Sequence, residues 1–384
     1  MLRTAIFGNI EISKIVKEFI EDKYNPAAKS AGGEEMTVVC YSLAEGCKES
    51  TDLPKISLEQ TAYEMKNCEI DVLIIPKDNA IGQSDLPWRL TSEGALLDNV
   101  YYGERISKTD TTDETEILDF FTPFLDTKYL GYLEYHVADQ CNLNCKACEH
   151  YSALVKEDVF PDFAKFEKDF TRLHDFIDDI GLIRILGGEP LLNKDINKYI
   201  RLTRSLYPSA RIFVVTNGLK LMSMNNEFYD TLKECNGDIY ISYYPPMKET
   251  MDKVENLLQE KEVSYTISTL NLEFGKKQIL KPLDDEQTLD AFFKCTQKVC
   301  NNFYDGKLAS CFLPFTTKYF NGYFDKNLPE DGAIDLYEEG LTTRDLRERL
   351  LLPFERCRYC SGETEMIPWD VAHEPSILED WIRS

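Results

Sequence analysis

The sequence predicts an α/β protein: a short doubly wound segment, a longer run of β/α units, and a cysteine-rich end. Three observations carry that prediction. Apolar runs of strand length alternate with helical periodicity up to about residue 76, and the alternation resumes between about 130 and 268. Beyond that point the pattern gives way to clustered cysteines.

In the first segment, TAIFGN (4–9) reads as a strand, and EISKIVKEFIED follows with Ile12, Ile15, Val16 and Phe19 at helical spacing. TVVCYS (37–42) and DVLIIP (71–76) are two further strands. SLEQTAYEM between them opens on Ser57, a helix cap. The β-α-β-α-β order implies a small parallel sheet of Rossmann-like type over residues 1–120. Its first turn, FGNIEIS, has one glycine where the dinucleotide fingerprint needs three. A docking or substrate-presenting role is therefore favoured there over nucleotide binding. GERISKTDTTDETEIL (103–118) is polar and rich in Thr and Asp, and reads as a linker or exposed loop, with a boundary near 105–125.

Charge and composition exclude several classes. A net charge of −24 repels a phosphate backbone, so nucleic acid is not an expected partner. No run of 18 apolar residues appears, and MLRTAIFGNIEISK has no signal-peptide character, so a cytoplasmic protein without membrane contact is expected. In a reducing compartment, twelve cysteines point to metal or catalysis rather than disulfides. Cys40, Cys47, Cys68 and Cys235 stand apart and read as plain thiols.

From 130 onward GYLEYHV, LIRIL (182–186), RIFVVT (211–216), DIYISYY (238–244) and VSYTIS (263–268) are strands separated by helical stretches. One of these, FAKFEKDFTRLHDFIDD, carries an apolar stripe of Phe163, Phe166, Phe170, Leu173 and Phe176. Such units form a parallel sheet, open or closing toward a barrel, with ligands at the C-terminal strand ends. The first strand ends into Cys141-Asn-Leu-Asn-Cys145-Lys-Ala-Cys148. Three thiolates do not close a tetrahedral zinc site, although His150 or His136 would complete one. They do hold three irons of a [4Fe–4S] cubane and leave the fourth open. The next strands end in Gly187-Gly188-Glu189-Pro190, Thr216-Asn217-Gly218 and Ser242-Tyr243. Glycines permit close backbone approach, and a carboxylate accepts hydrogen bonds from an ammonium.

C-x3-C-x2-C followed by GGEP and TNG at successive strand ends resembles the radical S-adenosylmethionine (SAM) superfamily. The resemblance implies a partial (β/α)6 TIM-like barrel over 121–285, with a [4Fe–4S] cluster on Cys141, Cys145 and Cys148. It implies SAM contacts from Gly187, Gly188, Glu189, Pro190, Thr216, Asn217 and Ser242. It also implies an enzyme that reductively cleaves SAM to a 5′-deoxyadenosyl radical, fed by a flavodoxin- or ferredoxin-type reductant. One departure is Ala147, where the family usually has an aromatic residue.

CTQKVCNNFYDGKLASC (295–311) contains a hairpin turn at Asp305-Gly306, and Cys357-Arg-Tyr-Cys360 follows later. The spacing of Cys295, Gly306 and Cys311 resembles the SPASM and twitch extensions of radical SAM enzymes. That resemblance implies an auxiliary [4Fe–4S] cluster on Cys295, Cys311, Cys357 and Cys360 in a domain spanning 286–384. A four-cysteine zinc ribbon is the competing reading. Cys300 either packs beside the hairpin, replaces Cys295 as ligand, or acts on substrate. Glu149 and His150 are further catalytic candidates, while His136 and His174 read as packing residues. A small sugar-like or nucleotide-sugar substrate is expected, with a peptide substrate or a non-catalytic electron carrier as alternatives.

Overall fold

The computed structural model describes residues 1–43, 51–80 and 85–383. Cys47 lies outside the described residues. Contacts divide the chain into two compact units, residues 1–131 with 342–351, and residues 132–341 with 352–384.

Among the described residues, the sheet of the first unit has six strands. They are β1 (Leu2–Phe7), β2 (Met36–Leu43), β3 (Lys55–Ser57), β4 (Val72–Pro76), β5 (Val100–Gly103) and β6 (Phe121–Pro123). Their order, β3-β2-β1-β4-β5-β6, is that of a Rossmann half with one added edge. β1 to β5 pair in parallel and β6 closes the edge antiparallel. Both faces of β4 are buried: Leu73 and Ile75 join one core, Val72 and Ile74 the other. This double burial explains why its sequence is a continuous apolar run. Ser57 caps helix Leu58–Lys66 by accepting from the Gln60 N–H, as its position predicts.

Residues 103–118, expected as a linker or exposed loop, belong to the first unit, with most of 107–116 exposed. Asp113 caps a short helix, Glu114–Leu118, and Lys23 donates to the Thr109 and Thr111 carbonyls. Helix Thr343–Leu350 also belongs to this unit through buried Arg347, which donates to the Tyr129 carbonyl at 2.6 Å. Neither assignment has a periodicity signal, because both rest on long-range contacts.

The sheet of the second unit contains β7 (Tyr129–Ala138), β8 (Asp179–Gly187), β9 (Arg211–Thr216), β10 (Gly237–Ile241) and β11 (Tyr265–Ile267). It continues beyond β7 through β13 (Asn302–Tyr304), β14 (Lys307–Ala309) and β15 (Ile334–Asp335), in the order β11-β10-β9-β8-β7-β13-β14-β15. β12 (Glu273–Gln278) and β16 (Cys360–Pro368) form a separate antiparallel pair. β8 to β11 are mutually parallel, and β13 lies parallel to β7. The parallel α/β architecture is the one expected of a partial TIM barrel. Asp305 and Gly306, with φ of 53° and 73°, make the predicted two-residue hairpin turn between β13 and β14. Among the described residues, no helix is long and apolar enough to cross a membrane.

Candidate active site

The loop after β7 carries Cys141, Cys145 and Cys148. Its tight course uses Asn144, Ala147 and Tyr151 at left-handed φ of 49°, 57° and 56°. Such geometry costs Ala and Tyr about 1 kcal/mol each, so surrounding contacts must hold the loop. The three cysteines line one cavity of about 180 Å³, together with Gly187, Gly188, Thr216, Asn217, Ser242 and His150. Four strand ends therefore deliver their predicted residues to one place.

The two glycines serve the chain's own backbone. A Cβ on Gly187 would lie 1.9 Å from the Ala138 carbonyl oxygen, and one on Gly188 would lie 2.2 Å from that of Gln140. The Gly188 and Glu189 N–H groups donate to those same oxygens at 2.7 and 3.0 Å. The close approach foreseen for a ligand is thus made first by the end of β8 to the cysteine loop.

Glu189 is fully buried and is not among the residues lining the cavity. Its carboxylate accepts from Thr216 Oγ1 at 2.7 Å, the Asn217 N–H at 2.9 Å and the Leu191 N–H at 3.1 Å. Burial pushes the carboxyl up to about 7, against the opposing pull of those three donors. Pro190, also buried, opens the short turn Pro190–Leu192. The Asn217 side chain donates in turn to Asn142 Oδ1 at 2.8 Å and Cys141 Sγ at 3.6 Å. Glu189, the TNG turn and the cysteine loop are one hydrogen-bonded assembly.

Cys295, Cys311, Cys357 and Cys360 line a second cavity of about 120 Å³. Glu149 lines it too, while its neighbours Cys148 and His150 line the first, so residues 148–150 form a wall between the two. Glu149 accepts from Gln297 Nε2 at 2.7 Å and lies 3.6 Å from Lys277 Nζ, while burial raises its pKa. The His150 ring is stacked between His136, at 4.8 Å, and Phe312, at 4.2 Å. Burial, then the neighbouring His136, lowers its pKa to about 3, so it is neutral. Cys300 lines neither cavity and donates to Gln297 Oε1 at 3.4 Å.

Sequence reasoning missed the C-terminal strap. The Trp369 N–H of the indole donates to Cys145 Sγ at 3.2 Å, and the Lys146 N–H donates to the Asp370 carbonyl at 2.8 Å. Buried Asp380 pairs with Lys146 Nζ at 2.9 Å and His373 Nδ1 at 2.6 Å. The sequence hint was a pair of tryptophans, Trp369 and Trp381, in the C-terminal tail, which periodicity does not register. Arg356 was missed as well, and it is fully buried beside Cys357.

Residues 135–314 match the family described as the radical SAM superfamily. Residues 135–314 are a radical SAM domain. The chain is similar to the GTP 3',8-cyclase of Clostridium botulinum (strain Okra / Type B1), 27% identical over 179 residues, or 44% of this chain and 53% of that protein. It is also similar to the GTP 3',8-cyclase of Sulfurimonas denitrificans, 32% identical over 117 residues, or 29% of this chain and 35% of that protein. The chain thus spans about half the length, or less, of these curated relatives. Among solved structures it is similar to BtrN in complex with AdoMet and 2-DOIA, with 18% identity and a TM-score of 0.39, over 60% of this chain and 92% of that one.

A radical SAM domain carries a [4Fe–4S] cluster and binds SAM. The residues fit both groups. Among the described residues, no three His, Cys, Asp or Glu side chains converge on a single ion. A cubane makes a different demand, because each thiolate takes its own iron. Burial pushes the Cys141 thiol up to about 12, so loading must displace protons. Trp369 and Asn217 supply N–H donors to two of the sulfurs, the usual support for cluster thiolates.

Proposed function

We propose that this chain is an enzyme that cleaves SAM reductively and removes a hydrogen atom from a small polar substrate of sugar or nucleotide-sugar type. The observation that carries the reading is the shared cavity of Cys141, Cys145 and Cys148 with Thr216, Asn217 and Ser242. The cluster and SAM, when bound, supply the radical chemistry, and the chain supplies position and dryness. Glu189 fixes the Thr216–Asn217 turn, whose remaining polar groups meet the cofactor. Neutral His150, stacked between His136 and Phe312, lines the cavity, and so does Tyr244, whose ring stacks on Trp369.

Two observations favour the sugar-type substrate. His136 borders a separate cavity of about 220 Å³, lined by Asp162, Asp169, Tyr304, Asp305 and Lys318, which suits hydroxyl groups. The relatives carry the name GTP 3',8-cyclase, which names a nucleotide. Phosphate binding at the first turn of the N-terminal sheet is disfavoured, since Asn9 already accepts from the Glu11 and Ile12 N–H groups. We therefore assign that unit a docking or substrate-presenting role.

The second cavity completes the proposal. Cys295, Cys311, Cys357 and Cys360 hold an auxiliary [4Fe–4S] cluster in a domain spanning 286–384, and full thiolate ligation suits electron transfer over substrate binding. A flavodoxin- or ferredoxin-type protein of the cytoplasm is the electron donor. The test is 5′-deoxyadenosine formation by anaerobically reconstituted, reduced protein, with nucleotide-sugar and peptide fractions compared. Stimulation by the sugar fraction alone is expected, and stimulation by peptides alone replaces the substrate class. No product with intact clusters removes the enzyme reading in favour of an electron carrier.

A further inference from the structure

Arg356 is fully buried, yet no carboxylate among the described residues pairs with it. Its Nε donates to Thr317 Oγ1 at 3.1 Å, and Nη2 donates to the Tyr151 hydroxyl at 3.3 Å and Gln278 Oε1 at 2.5 Å. Nη1 has no partner. All three acceptors are neutral. A guanidinium cannot shed its proton to escape burial, as a lysine or histidine can. A buried, unpaired charge is among the most costly features a fold can carry.

The chain around Arg356 indicates where the missing negative charge belongs. Cys357 follows it directly. Gln278, which accepts from Arg356, also donates through Nε2 to Cys360 Sγ at 3.5 Å. Both cysteines line the second cavity with Cys295 and Cys311. Four thiolates around a [4Fe–4S] core carry a net negative charge, which grows by one when the cluster takes up an electron. A fixed cation beside it stabilises the reduced form more than the oxidised form.

We propose that Arg356 is the built-in counter-cation of the auxiliary centre and raises its reduction potential. This rests on the reading that Cys295, Cys311, Cys357 and Cys360 hold a cluster. The step is a one-electron exchange with the flavodoxin- or ferredoxin-type donor or with the substrate radical, and no proton need move. Through the Tyr151 hydroxyl the same side chain reaches the loop of the first cluster, since the Tyr151 N–H donates to the Cys148 carbonyl at 2.9 Å. Arg356 is thus a positioning residue shared by the two cysteine sites.

The test uses full-length protein carrying C141A, C145A and C148A, so that the auxiliary centre alone gives a signal. Iron and sulfide are counted, and the potential is read by EPR-monitored titration. In R356Q the reduced-to-oxidised ratio at fixed potential should fall about tenfold, equivalent to about −59 mV for one electron. R356K, which keeps the charge, should move less than half as far. Loss of iron in R356Q with retention in R356K supports the same role. R356Q with full iron and an unshifted potential overturns the inference, as does equal iron loss in both variants, because shape would then matter and charge would not. If this parent holds no iron, or holds as much after C295A and C357A, the cluster reading beneath the inference fails instead.

Discussion

The Trp369 indole N–H donates to Cys145 Sγ at 3.2 Å, so a residue more than two hundred positions downstream touches one of the three cysteines proposed to hold the first cluster. Trp369 is held for this by its own N–H, which donates to the Leu272 carbonyl at 2.8 Å. An N–H donor withdraws electron density from a thiolate and eases reduction of its cluster. W369F keeps the aromatic bulk and loses the donor. Its cluster potential should fall by up to about 59 mV, a tenfold change in the reduced fraction. An EPR titration that shows no shift at full iron content would sink this role for Trp369.

Glu189 gives a pH prediction. Burial raises its carboxyl from an ordinary 4.5 to about 7 against the pull of Thr216, Asn217 and Leu191. The folded cofactor-free protein therefore binds more protons than the unfolded chain between those values. Its stability should fall as pH rises from about 4.5 to 7. At about 1.4 kcal/mol per pH unit, the loss is at most about 3.5 kcal/mol. E189Q cannot titrate and should lack this slope, while its Thr216 and Asn217 contacts weaken. Urea unfolding of both proteins across that range decides the matter, and parallel slopes would exclude Glu189 as the source.

Much of this was legible in the sequence because strand ends in β/α folds converge by topology. Gly187 and Thr216 end strands, Ser242 directly follows one and Cys141 comes three residues after one, so all four reach one cavity. Ser57 and the Asp305-Gly306 turn were legible for a local reason, since capping and positive φ are written in residue type. Long-range ties were not. Trp369, Asp380 and Arg356 act across separations that no local pattern reports, and helix Thr343–Leu350 looks in sequence like any surface helix. Even the glycine pair was read for a ligand, when the nearest demand on it is the Ala138–Gln140 backbone.

That demand is testable at Gly188. A methyl group there would meet the Gln140 carbonyl carbon at 2.5 Å and its oxygen at 2.2 Å, and backbone on both sides cannot yield. G188A should cost about 4 kcal/mol or more and separate β8 from the cysteine loop. Iron bound at Cys141, Cys145 and Cys148 should drop with it, while the four-cysteine site keeps its own. Reconstituted G188A with full iron and an unchanged unfolding midpoint would show that the backbone accommodates the methyl group.

The strap makes a last prediction through Asp380, whose buried carboxylate joins Lys146, inside the cysteine loop, to His373 on the strap. Burial pushes this carboxyl up, but Lys146 and His373 outweigh it and hold it below its ordinary 3.8. A lowered folded pKa means that the stabilisation is present above the unfolded value and disappears as pH falls through the folded one. Near neutral pH the pairing is therefore fully in force. D380N keeps the size and removes the charge, at a cost of about 2 kcal/mol, since Lys146 and His373 are partly solvated. Because Ala147 and Tyr151 sit in strained backbone, a loop released from Lys146 has a lower-energy alternative to relax into. Iron should then pass from the first cluster to an external chelator several-fold faster than in the parent, with the auxiliary site unaffected. Equal release rates would mean that the hydrogen bonds at Asp370 and Ala372 hold the loop without Asp380.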